Sequence, residues 1–105
     1  MTDVDVDRSY IHDVVLRLVS AYAPVQASEV TTSSVLTEEL GYNSLRLVEL
    51  TFAVEELFEL DTLTTAQVQP IQTVGQLQDF VLGLIAEGRC TPPAPDEVED
   101  ALRNV

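Results

Sequence analysis

Apolar residues return every three or four positions in three separate stretches of the chain, and that spacing predicts three amphipathic helices. The first runs from Ser9, with Ile11, Val14, Val15, Leu18, Val19 and Tyr22 on one face, and Pro24 closes it. The second spans about Ser44 to about Glu59, where Leu47, Leu50, Thr51, Val54, Leu57 and Phe58 share a face and Gly41 and Asn43 supply the preceding turn. Its Leu, Glu, Ala and Arg residues favour helix over strand. A third opens at Thr73-Val74-Gly75-Gln76, a capping box in which the Thr hydroxyl and the Gln amide each satisfy a free backbone N–H. Val74, Leu77, Val81, Leu84 and Ile85 follow along one face, Phe80 lies beside them, and Gly88 fits the stop. A short helix over Thr65 to Gln69, ended by Pro70, fits between the last two.

The remaining segments do not read as regular elements. Pro24 to Asn43 contains Val30-Thr31-Thr32-Ser33-Ser34-Val35, which has strand-like composition. No second strand pattern exists to pair with it, so the stretch is expected to be a long ordered loop with a helical turn near Thr37 to Leu40. Beyond Arg89, the run Thr91-Pro92-Pro93-Ala94-Pro95 reads as a spacer. Asp96 is then placed to cap a last turn or two with Val98, Ala101, Leu102 and Val105 on one side, ordered only if that side docks. The expectation is an all-α fold: a small four-helix bundle with a long first connection and a short third helix. Residues 1–8 form a flexible acidic N-terminus, 9–88 the folded domain, and 89–105 a Pro-rich spacer with an acidic tail.

Composition narrows the function. With 105 residues, 46% of them hydrophobic, there is material for one core and one domain. Eighteen Asp and Glu face five cations, all Arg, for a net charge of −13. Nucleic acid and anionic lipid surfaces are repelled by such a chain, and basic protein faces are attracted. Cys90 and His12 are each single and far apart in sequence, which excludes an intramolecular disulfide and a cysteine metal cluster, argues against a Cys/His nucleophile pair, and leaves a His-based triad no second histidine to draw on. His12 reads as a boundary side chain and Cys90 as an unengaged thiol. Asp3, Asp5 and Asp7 lack the glycine and terminal glutamate of a calcium loop. No apolar run approaches the roughly 18 to 20 residues that span a bilayer. The start is acidic where a secretion signal is basic and then apolar, so a soluble cytoplasmic monomer is expected.

The most informative stretch is Leu36-Thr37-Glu38-Glu39-Leu40-Gly41-Tyr42-Asn43-Ser44-Leu45-Arg46-Leu47-Val48-Glu49-Leu50, continuing to Val54-Glu55-Glu56-Leu57-Phe58. It resembles the carrier-protein signature, a Leu-Gly-x-Asp-Ser-Leu turn that opens an acidic helix reading Val-Glu-Leu and then Leu-Glu-Glu-x-Phe. Ile71-Gln72-Thr73-Val74-Gly75 is similar to the family's Ile-x-Thr-Val-x segment before its last helix. Two separated motifs agree in register over roughly Ser9 to Ala86, which a lone Ser-Leu pair does not provide.

The resemblance implies an acyl carrier protein. Ser44 is then the residue esterified by 4′-phosphopantetheine from coenzyme A, flanked by Asn43 and Leu45. The residues agree with this on physical grounds, since unpaired N–H groups and the helix dipole at a helix N-terminus favour a phosphate. Taken alone, a serine before an amphipathic helix is most simply an N-cap. The resemblance also implies that Leu45, Val48 and Phe52, rotated off the core face, meet partner enzymes or flank an acyl pocket, and that Glu49, Glu55 and Glu56 pair with basic residues on the partners. On a generic helix those glutamates are only a solvated face.

Two departures from the family pattern stand out. Asn43 replaces the usual Asp, keeping a capping oxygen and losing the charge. Arg46 stands where fatty-acid-type carriers tend to be acidic, which penalises partners tuned to all-acidic faces and points to a dedicated partner. The expected role is a free-standing carrier, itself no enzyme, of acyl or aminoacyl thioesters in a specialised polyketide, nonribosomal or hybrid pathway. Its expected partners are a phosphopantetheinyl transferase, an acyl- or aminoacyl-loading enzyme, and a downstream synthase or transferase with a basic docking face. The alternatives are a peptidyl or aminoacyl carrier and an unmodified docking module.

Overall fold

The computed structural model describes residues 3–24, 30–60, 63 and 65–103. Among them the order is α1 (Asp3–Tyr22), α2 (Ser44–Leu57), α3 (Thr65–Val68), α4 (Val74–Ala86) and α5 (Pro95–Arg103). The fold is all-α, as expected, with five helices in place of four. The first helix packs on α4 and α2, and α5 packs on α1 and α2. No helix among the described residues is long and apolar enough to cross a membrane.

The apolar stripes meet in one core. Ile11, Val14, Val15, Leu18 and Val19 of α1, Leu50 and Val54 of α2, and Val74, Leu77 and Val81 of α4 are all buried, with Phe58 fully enclosed among them. The first helix begins six residues before the Ser9 boundary. The two residues before Asp3 lie outside the described residues, as do 25–29 of the first connection.

The long connection is ordered by the end of α4. Leu36, Leu40 and Tyr42 are buried, and an isolated bridge joins Val35 to Thr73. Helix α4 presents N–H groups with no intrahelical acceptor. Ser34 O takes the Val74 N–H at 3.1 Å, Thr32 O takes Gly75 at 2.8 Å, and Thr73 Oγ1 takes Gln76 at 3.2 Å. Gln76 Oε1 returns to the Thr73 N–H at 3.0 Å, which completes the predicted capping box. The approach explains Gly75, since a Cβ there would lie 2.7 Å from Thr32 Cγ2. Gln78, buried on the apolar face of α4, accepts from Thr32 Oγ1 at 2.6 Å and donates to His12 O at 2.9 Å, linking three elements. The His12 ring is partly buried, and its Nε2 has no hydrogen-bond partner among the described residues.

The C-terminal segment departs most from expectation. It is neither a bare spacer nor a tail: the Thr91 N–H donates to Phe58 O at 3.2 Å, Tyr10 Oη donates to Pro93 O at 2.8 Å, and Pro93 is buried. Pro95 opens α5, where a missing N–H costs nothing. Glu97 reaches back to the Ala94 N–H at 2.8 Å, so the start is held by Glu97 while Asp96 lies inside the helix. Val98 is 1% exposed in the shared core, with Leu102 and Cys90 packed against it. Docking supplies what a nine-residue helix lacks alone. Val105 lies outside the described residues.

Candidate functional site

The chain makes one helical turn over 36–40 before α2, and Gly41 ends it with a φ of 77°, a left-handed conformation that glycine takes without penalty. The Tyr42 N–H then returns to Leu36 O at 3.0 Å. The Tyr42 ring is buried and its hydroxyl donates to Val19 O at 2.6 Å, so the turn is tied to α1. Burial pushes its phenol well above the ordinary tyrosine value, only partly offset by the Arg46 charge.

Asn43, in extended conformation, is the N-cap of α2. Its Oδ1 accepts the Arg46 N–H at 2.9 Å and its carbonyl accepts Leu47 at 2.9 Å. Ser44 therefore sits one place inside the helix and is not the cap. Its hydroxyl is exposed and takes no hydrogen bond among the described residues, and the N–H groups of Ser44 and Leu45 are likewise unpaired. Two free donors at the positive end of a helix, beside an exposed hydroxyl, suit a phosphodiester on that oxygen. Ser44, Leu45 and the cap Asn43 are the residues that would hold phosphopantetheine.

The flanking side chains sort into three kinds. Leu45, Val48 and Phe52 are 70%, 47% and 59% exposed, forming an apolar stripe that starts next to Ser44. Arg46 Nη1 pairs with Glu49 Oε1 at 3.0 Å, so the first turn shows a neutralised pair and no free cation. Glu56 is exposed, whereas Glu55 is half-buried and its Oε2 accepts the Leu63 N–H at 2.5 Å.

A cavity of about 430 Å³ opens between α2 and α3 and reaches Ser44. Val48, Phe52 and Glu55 line it on the α2 side, Leu63, Val68 and Ile71 on the other, and Leu36 and Leu77 belong to its wall. The hydroxyl of Thr51, also in the lining, is satisfied by Leu47 O at 2.8 Å. The wall therefore offers an apolar environment. Periodicity missed this cavity because its far side comes from α3 and its flanks, where four helical residues carry too little pattern to orient a face. The signals available were Val48 and Phe52, turned off the core face, and the Ile71 motif residue.

Comparison with known proteins agrees with this geometry. The chain is 32% identical over 95 residues to an acyl carrier protein of Saccharopolyspora erythraea, covering 90% of this chain and 98% of that one. It is 38% identical over 72 residues to an acyl carrier protein of Cyanidioschyzon merolae, covering 69% of this chain and 78% of that one. No family model matches, and no solved structure matches significantly.

Proposed function

The chain belongs to the acyl carrier protein family, and from that premise we propose that Ser44 is its attachment residue for 4′-phosphopantetheine. The observation that carries this is Ser44 itself: exposed, its hydroxyl without a partner among the described residues, next to two free helix N–H groups and in the lining of an apolar cavity. In the transfer the serine oxygen bonds to the pantetheine-bearing phosphorus of coenzyme A, the pyrophosphate bond breaks, and adenosine 3′,5′-bisphosphate leaves. The hydroxyl proton goes to a general base of the transferase, since no base among the described residues is hydrogen-bonded to it. The attached group supplies a terminal thiol that holds cargo as a thioester. The chain's own part is to present, shelter and identify that cargo, without catalysing a reaction.

The apolar wall favours an acyl cargo over a charged aminoacyl one, because burying an unpaired charge there is costly. Recognition by partners falls to Leu45, Val48 and Phe52, with Glu56 and the Arg46–Glu49 pair at the edge. A neutralised first turn supports a dedicated partner of a specialised polyketide, nonribosomal or hybrid pathway over one tuned to an unbroken acidic face.

The test is intact mass after incubation with coenzyme A and a promiscuous phosphopantetheinyl transferase. Wild type gains one phosphopantetheine and Ser44→Ala gains none. A wild-type chain that stays unmodified identifies an unmodified docking module.

A further inference from the structure

Glu55 holds the chain twice where it leaves α2. Its carbonyl accepts the Leu60 N–H at 2.8 Å, and its carboxylate accepts the Leu63 N–H at 2.5 Å. Inside the turn closed by the Leu60 contact, Glu59 takes a φ of 57°, a left-handed conformation that L-residues other than Asn and Asp seldom take. Glu55 and Leu63 both line the cavity beside Ser44, and Glu55 is the one charged residue among its described lining. A half-buried carboxylate needs a donor and a backbone N–H beside an apolar wall needs an acceptor, so each satisfies the other. A glutamate used for docking alone would stand in solvent, as Glu56 does.

We infer that Glu55 is a positioning residue for cargo: by fixing Leu63 as a wall of the cavity, it determines how well an acyl chain tethered at Ser44 is sheltered from water. This rests on the carrier reading above. It differs from a docking role in a way that chemistry separates, because a glutamine keeps the acceptor oxygen and loses the charge, whereas an alanine loses both.

The experiment compares wild type, Glu55→Gln, Glu55→Ala and Leu63→Pro, the last of which deletes the donor and leaves the carboxylate. In the unmodified proteins, Leu63 amide hydrogen exchange should lose roughly tenfold of its protection in Glu55→Ala and little in Glu55→Gln, a factor in keeping with one lost hydrogen bond to a charged group. Unchanged protection in Glu55→Ala overturns the inference. Acetyl and octanoyl thioesters are then installed from the matching coenzyme A thioesters, and their cleavage by hydroxylamine is timed. Octanoyl should be cleaved more slowly than acetyl in wild type and Glu55→Gln, and that ratio should collapse toward one in Glu55→Ala and Leu63→Pro. A ratio that Leu63→Pro or Glu55→Ala leaves at the wild-type value overturns the cargo role, as does Glu55→Gln behaving like Glu55→Ala. No adduct on wild-type Ser44 overturns the carrier reading and the cargo role together, whereas an adduct with an unchanged ratio overturns the cargo role alone.

Discussion

Asn43→Ala and Ser44→Ala are neighbouring substitutions at an exposed helix start, yet their effects on stability should differ. Asn43 is in the extended region at φ −117° and its Oδ1 takes the Arg46 N–H at 2.9 Å. Loss of such a cap costs about 0.5–2 kcal/mol. The site is open to water, which can partly replace the lost acceptor, so a value near the middle, about 1 kcal/mol, is expected. For a domain of this size that lowers Tm by about 4–8 °C. Ser44 has no such bond to lose, and alanine is the better helix former by a few tenths of a kcal/mol, so Ser44→Ala should match wild type or melt slightly higher. The two variants then exchange roles in the modification assay: Asn43→Ala accepts phosphopantetheine and Ser44→Ala does not. Thermal and urea unfolding followed by far-UV circular dichroism, with intact mass on the same samples, measures both quantities. If Ser44→Ala loses more than about 1 kcal/mol, or Asn43→Ala is as stable as wild type, the assignment of the cap to Asn43 and of Ser44 to chemistry is wrong.

Tyr42→Phe should cost about 1 kcal/mol at neutral pH through the lost bond to Val19 O. It should also flatten the alkaline limb of stability: because burial raises the folded-state phenol, its proton stabilises the fold below about pH 10, and each further pH unit removes up to about 1.4 kcal/mol as the unfolded chain ionises. Urea midpoints from pH 8 to 11 read this directly; a smaller slope remains from Cys90 and Tyr10, whose values burial also raises, and parallel curves for Tyr42→Phe and wild type would contradict the account. Glu59→Gly should stabilise by about 0.5–1 kcal/mol, since glycine takes the left-handed φ of 57° freely and a carboxylate is removed from the negative end of α2. A lower urea midpoint in that variant would show that the Glu59 side chain is used. Val98→Ala should cost about 1–3 kcal/mol by emptying a buried site between α5 and the bundle. A cost under about 0.5 kcal/mol would mean that α5 is not part of the folded unit.

Residue pattern alone determined the elements whose causes are local. The buried face of α1 from Ile11 to Val19, the face of α4 and the Thr73–Gln76 capping box follow from interactions within three or four positions, and each can be read along the chain. The same locality placed Ser44 at the start of α2 and turned Leu45, Val48 and Phe52 away from the core. Tertiary structure decided everything that depends on groups far apart in sequence. Periodicity cannot show that a glutamine on an apolar face is satisfied by Thr32, 46 positions away, and by a carbonyl of α1. Nor can it show that a proline-rich run is held by Tyr10, 83 positions away, so that a helix too short to stand alone docks through Val98. Glu55 shows that even eight positions are too many for periodicity: its place in an acidic helix reads as a charge for partners, and only the return of the chain to bring the Leu63 N–H against it gives that carboxylate an internal use. A polar group's meaning lies in which partner desolvates with it, and that is settled when distant segments pack together.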